Sequence, residues 1–234
     1  MNQITRQLAS AIDHTLLKPE ATPDQIDQLC EQAIQYSFAA VCVNPIFVRR
    51  AANAINAANR DTAYRPAVAS VVGFPLGASH PKILADEVRQ AIDDGATEVD
   101  MVVPLGWLIA QELGLVRQHI EAATYVAHQG ATPAIVKVIL ETAALTNDQI
   151  IQGCRCCAEA EADFVKTSTG FHPAGGATIE HVALLHRHAS PIKVKASGGI
   201  RTLADMQAMI DAGASRIGTS SGVNILKEAA DEDR

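Results

Sequence analysis

Ile92-Asp93-Asp94-Gly95-Ala96-Thr97-Glu98-Val99-Asp100-Met101-Val102-Val103 contains the junction on which the fold reading turns. A helical segment ends at Gly95, a residue that accepts the left-handed backbone of a helix C-cap. A few residues later an apolar, β-branched run begins, with a carboxylate in its middle. Ile210-Asp211-Ala212-Gly213-Ala214 repeats the first half of this pattern and leads into Arg216-Ile217-Gly218. Helix, glycine, strand is the join between successive units of a parallel α/β sheet.

Working outward, strand-like runs fall at 12–15, 39–43, 67–72, 98–103, 134–140, 163–167, 192–196 and 216–218, with helical stretches between them. Thr22-Pro23-Asp24-Gln25 supplies a hydroxyl N-cap, a proline at the first helical position and a capping-box glutamine. Thr146-Asn147-Asp148-Gln149 repeats the box without the proline, and Thr178 and Thr202 mark further helix starts. No Pro/Gly/Ser linker divides the 234 residues, so one domain covering 1–234 is expected. A doubly wound open sheet would favour a Gly-x-Gly-x-x-Gly turn after an early strand, and none is present. The expected fold is therefore α/β, a (β/α)8 TIM barrel with an additional N-terminal helix.

Apolar residues make up 48% of the chain and aromatics only 4%, so small and branched aliphatics must fill the core. The formal net charge is −7 and the basic residues are scattered, which argues against nucleic acid as a partner. No apolar run reaches the roughly 18 residues needed to span a bilayer. Residues 1–8 have no apolar secretory stretch, and a cytoplasmic location is expected. The five cysteines, three of them at Cys154, Cys156 and Cys157, have no second Cys/His pair at zinc spacing, so neither disulfides nor a metal site is expected.

Charged residues inside the strand-like runs carry the chemistry. Asp100, Lys137, Lys166 and Lys195 lie 37, 29 and 29 residues apart, about one βα unit each, which sets them on adjacent strands. Burying such groups unpaired costs several kcal/mol. Polar groups late in barrel strands form active sites, and Asp100, Lys166 and Lys195 sit late; Lys137, with three apolar residues after it, is expected one layer deeper. Lys193 lies nearer the start of its strand and points to solvent at the barrel bottom. A structural ion-pair network is the alternative, but three lysines against one aspartate leave surplus positive charge. An ammonium roughly 6 Å from a second amine, at an effective dielectric near 20, would contribute about 2.8 kcal/mol, or about two pK units. Desolvation adds to this and Asp100 opposes it. One lysine could thus be held neutral, ready to attack a carbonyl.

Ser197-Gly198-Gly199 and Gly218-Thr219-Ser220-Ser221-Gly222 follow the last two strands, where barrels often build a phosphate site from glycine backbone and a helix start. Gly170 could donate to the same anion.

The chain resembles the deoxyribose-phosphate aldolases along most of its length. The matching blocks include Ile12-Asp13-His14-Thr15-Leu16-Leu17-Lys18-Pro19, Val41-Cys42-Val43-Asn44-Pro45, Val71-Val72-Gly73-Phe74-Pro75-Leu76-Gly77 and Glu98-Val99-Asp100-Met101-Val102. They continue with Lys137-Val138-Ile139-Leu140-Glu141-Thr142, Phe164-Val165-Lys166-Thr167-Ser168-Thr169-Gly170, Lys195-Ala196-Ser197-Gly198-Gly199-Ile200-Arg201 and Arg216-Ile217-Gly218-Thr219-Ser220-Ser221.

The resemblance implies reversible cleavage of 2-deoxy-D-ribose 5-phosphate into acetaldehyde and D-glyceraldehyde 3-phosphate, without metal or organic cofactor, in a homodimer. It implies Lys166 as the Schiff-base lysine, Lys195 as the neighbour that perturbs it, and Asp100 as a proton shuttle working through water. Thr15 and Lys137 match pocket residues and Cys42 a cysteine beside the pocket. Thr169, Gly170, Gly198, Gly199, Ser220 and Ser221 match substrate- and phosphate-binding positions. All eight histidines are read as non-catalytic. Two departures stand out: Pro104 where relatives carry Asn, and a variant loop Phe171-His172-Pro173-Ala174-Gly175-Gly176. Residues 227–234 also lack the tyrosine that some members use in proton transfer. A Schiff-base lyase for another sugar phosphate and a catalytically silent sugar-phosphate sensor are the competing readings.

Overall fold

Eight parallel strands pair in chain order and close on themselves, the first bonding to the eighth, in a computed structural model that describes residues 3–58, 64–130 and 132–232. The strands are β1 (Ile12–Leu16), β2 (Ala40–Val43), β3 (Ala67–Val72), β4 (Glu98–Val102), β5 (Ile135–Ile139), β6 (Phe164–Lys166), β7 (Lys193–Ser197) and β8 (Arg216–Thr219). Helix Gln3–Ala9 precedes β1, as expected, and helices separate the later strands. The expected strand bounds hold to within two residues. The expected starts at Thr22, Thr146, Thr178 and Thr202 all cap helices through their hydroxyls, with complete capping boxes at Thr22, Thr146 and Thr202.

Strand side chains alternate between two environments. One set faces outward: Val41, Val99, Val136, Val165, Val194 and Ile217 form a continuous aliphatic layer with helix residues such as Leu84, Ile120, Ile150 and Leu185. Cys154, Cys156 and Cys157 are buried, free thiols of this layer. The other set fills the barrel. There the apolar content is small, a separate cluster of Leu17, Cys42, Ala69 and Val71 with Phe74 against it. Ala40, Val102, Ile139 and Phe164 share this parity, and the charged groups lie among them. Strand parity therefore decides which residues pack the shell and which meet a ligand.

Gly95 and Gly213 have positive φ values of 105° and 109°, as their C-cap reading requires. At Gly213 space adds to the constraint, since a Cβ there would lie 2.3 Å from His186 Cγ. Replacing Gly213 by Ala should cost on the order of 1–3 kcal/mol from backbone strain and overlap together. Urea unfolding should show this as a lower midpoint with an unchanged slope.

Candidate active site

The polar interior is one connected ion-pair network. Lys137 Nζ lies 2.7 Å from Asp100 Oδ1 and 2.6 Å from Glu98 Oε2. Lys195 Nζ lies 2.5 Å from Asp13 Oδ2 and 2.6 Å from Asp100 Oδ2. Lys166 Nζ meets that same Asp100 Oδ2 at 2.7 Å. Below them, Arg216 bridges Asp13 and Glu98, the latter at 2.9 Å. Asp13, Asp100, Lys137 and Lys195 are fully buried, and Lys166 is only 3% exposed.

This arrangement corrects the sequence-based charge count. Three carboxylates, not one, face the lysines, and an arginine joins the cations. The signal was present in the parity: Glu98 stands two before Asp100, Asp13 two before Thr15, and Arg216 two before Gly218, each on the inward face. Lys137 lies a layer deeper, as expected, since Lys166 is level with Ile139, two residues further along β5. Lys193 is exposed at the start of its strand.

The partners decide which amine is free. Lys137 and Lys195 each hold two close carboxylates and Arg216 bridges two, whereas Lys166 has one, shared with two other ammoniums. Burial pushes the Lys166 amine below the ordinary lysine value; Asp100 opposes this and the Lys195 charge reinforces it. Burial acts in the same direction on Lys195, but Asp100 and Asp13 outweigh it and hold that group protonated. At Lys137 burial is likewise outweighed, by Asp100 and Glu98. Burial would raise the Asp100 carboxyl, yet Lys137, Lys166 and Lys195 keep it well below the usual range.

Lys166 opens onto a cavity of about 240 Å³ at the C-terminal ends of the strands. Thr15, Thr169, Gly170, Gly198, Gly199 and Ser220 line it, together with Phe171 of the variant loop and with Lys18 and Arg201, to which the sequence reading gave no role. Gly170, Gly198 and Gly199 have φ values of 82°, 89° and 84°, a left-handed geometry that glycine adopts without strain. Ser220 precedes helix Gly222–Glu232, whose N-terminus adds a favourable dipole for an anion. The 171–176 loop presses onto the same place: a Cβ at Gly176 would lie 2.2 Å from Gly198 O.

Other expected residues stand back from the cavity. Cys42 is buried below it, and its thiol is pushed up by burial and by Asp100. Lys137 and Ser221 are not in the lining, and the Ser221 N–H donates to Thr219 Oγ1 at 2.9 Å. Thr169 lines the cavity, but its hydroxyl donates to buried Glu141. A larger groove of about 680 Å³ lies between helices Leu113–His128 and Asn147–Glu159, lined by Glu121, Glu159 and Glu161 and lacking the buried amines.

Comparison with known proteins matches residues 7–228 to the DeoC/LacD family of aldolases. A deoxyribose-phosphate aldolase of Halalkalibacterium halodurans is 49% identical over 224 residues, covering 95% of this chain and 96% of that protein. One from Thermococcus gammatolerans is 49% identical over 223 residues, covering 95% and 96%. Among solved structures, the tetrameric deoxyribose phosphate aldolase of Aeropyrum pernix superposes with a TM-score of 0.87 at 32% identity, covering 97% of this chain and 92% of that one.

The buried network also sets an acid limit. Burial would raise the Asp13 carboxyl, but Lys195, Lys137 and Arg216 outweigh it and lower it from 3.8 to about 2. A lowered carboxyl stabilises the fold above its unfolded value, and the contribution is lost as pH falls through the folded one. Stability should therefore drop between about pH 4 and pH 2. Asp13→Asn should flatten that part of the curve and cost about 3–5 kcal/mol at neutral pH by stranding its cations. Denaturant titration across pH measures both.

Proposed function

The chain belongs to the DeoC/LacD family of aldolases, and on that premise we propose that Lys166 is the amine through which it works. It is a lyase that cleaves 2-deoxy-D-ribose 5-phosphate reversibly to acetaldehyde and D-glyceraldehyde 3-phosphate. The observation that carries the role of Lys166 is its position. It is the network cation with a single, shared carboxylate, and it faces the cavity.

The neutral Lys166 amine adds to the C1 aldehyde of the open-chain sugar, and loss of water gives a protonated imine. That cation draws electrons from the C2–C3 bond as the C3 hydroxyl gives up its proton. The bond breaks, releasing glyceraldehyde 3-phosphate and leaving an enamine on Lys166. Protonation at C2 and addition of water return the free amine and acetaldehyde. Asp100 Oδ2 touches both Lys166 and Lys195, so a proton passes between them over one oxygen or through a water. Lys195, held protonated, is the acid of this pair, and Lys137 keeps Asp100 fixed from below.

The phosphate sits between the Gly170, Gly198 and Gly199 backbone and Ser220 at the start of the last helix, with Thr15 and Thr169 along the wall and Cys42 beneath. Lys18 and Arg201, both in the lining, add positive charge there. The protein works as a single (β/α)8 domain and, by family resemblance, as a homodimer. Its place of action is the cytoplasm, where phosphorylated sugars are retained. Among the described residues no helix is long and apolar enough to cross a membrane.

Borohydride reduction with acetaldehyde should leave an ethyl group on Lys166, read by peptide mapping; an unmodified Lys166 in active protein refutes the assignment. Lys166→Ala should abolish turnover with the fold intact. Because the amine is the reactive form and burial lowers its pKa, adduct formation should rise with pH through a midpoint below about 10.4, the ordinary lysine value. Lys195→Leu should move that midpoint upward. Ser220→Asp should raise KM for the phosphorylated sugar at least about tenfold by repulsion, while acetaldehyde trapping on Lys166 persists.

A further inference from the structure

We propose that Arg216 and Glu98, at the N-terminal ends of β8 and β4, are positioning residues that set the charge on Lys166 from the far end of the barrel. This rests on Lys166 being the reactive amine. Among the described residues the linked network holds four cations, Lys137, Lys166, Lys195 and Arg216, against three carboxylates, Asp13, Glu98 and Asp100. The groups are linked without a gap: Arg216 to Asp13 to Lys195 to Asp100 to Lys166 on one branch, and Arg216 to Glu98 to Lys137 to Asp100 on the other. With Lys166 neutral the network balances, and with Lys166 protonated it carries one uncompensated charge in a buried space.

Arg216 maintains that balance from below. It engages two of the three carboxylates, which would otherwise be free to neutralise lysines alone. Among the described residues, its guanidinium and the exposed Lys193 lie against the Phe164 ring, and the Tyr64 phenol is a further titratable group nearby. Glu98 faces Lys137 and Arg216. Lys166 itself faces Asp100, Lys195 and the Cys42 thiol.

Opposite substitutions should move activity in opposite directions. Arg216→Gln removes a cation, so three carboxylates face three amines and the Lys166 ammonium is favoured. The pH at which acetaldehyde is trapped on Lys166, and at which kcat/KM rises, should shift up by about one unit. Glu98→Gln removes a carboxylate and should shift both down by about the same amount. The double variant Glu98→Gln/Arg216→Gln restores one surplus cation and should return the midpoint to that of the unaltered protein. Arg216→Lys, which keeps the charge, should leave it unmoved. Should Arg216→Gln fail to fold, the Glu98→Gln shift and its reversal in the double variant decide the matter. A purely structural role would lower rates at every pH with no opposed shifts, and that result overturns the proposal. Absence of the Lys166 adduct in the unaltered protein would instead refute the reactive amine itself.

Discussion

A single carboxylate, Asp100, shared among three buried ammonium groups governs this molecule. These charges are buried from bulk solvent, so each proton added or removed is felt by every member of the network. Asp100 gives one oxygen to Lys137 and the other to both Lys166 and Lys195. Because that second oxygen is divided, neither lysine owns it. Lys195 compensates with Asp13, and Lys137 with Glu98. Among the described residues Lys166 has no second carboxylate, and its chain ends at the cavity. The difference between a structural ammonium and a reactive amine therefore comes from the distribution of carboxylates.

The barrel makes that distribution achievable. Its helices bury the outward faces of the strands in an aliphatic layer, and this supports a polar interior that could not sustain itself in a smaller fold. Register then sets the neighbours. Lys195 pairs with Arg216 on one side and with Lys166 on the other, and the tilt of the strands sets Arg216 lower in the barrel than Lys166. Close packing keeps them there: a Cβ on Gly218 would lie 3.2 Å from Lys195 Cε. The glycine at that position gives the neighbouring lysine room to reach Asp100.

Much of this was legible in the sequence because it follows from short-range rules. Capping boxes at Thr22 and Thr146 and glycine stops at Gly95 and Gly213 mark helix ends through local hydrogen bonding alone. Lysines and an aspartate within apolar strands announced an interior site by their cost of burial. What stayed hidden depends on closure. Asp13 and Arg216 are 203 positions apart, and only the pairing of β1 with β8 brings them together. Read singly, each stands at the edge of a short strand and looks like a surface charge. Thr169 shows the same limit, since nothing in its neighbourhood foretells that Glu141, whose backbone φ is 59°, turns back to bind its hydroxyl. Cys42 and Lys137 belong to the right strands, but their depth below the cavity follows from register.

The central claim is that the Lys166 amine gives up its proton more readily than the ammonium groups beside it. It is tested most directly by following the Cε resonance of each buried lysine, in protein labelled with carbon-13 lysine, across a pH titration. The account predicts that the signal removed by Lys166→Ala titrates below about 10.4 and before that of Lys195. The signals of Lys137 and Lys195 should not titrate within the range in which the protein stays folded. A Lys166 signal that keeps its ammonium position up to the ordinary lysine value, or one that titrates after Lys195, would contradict it.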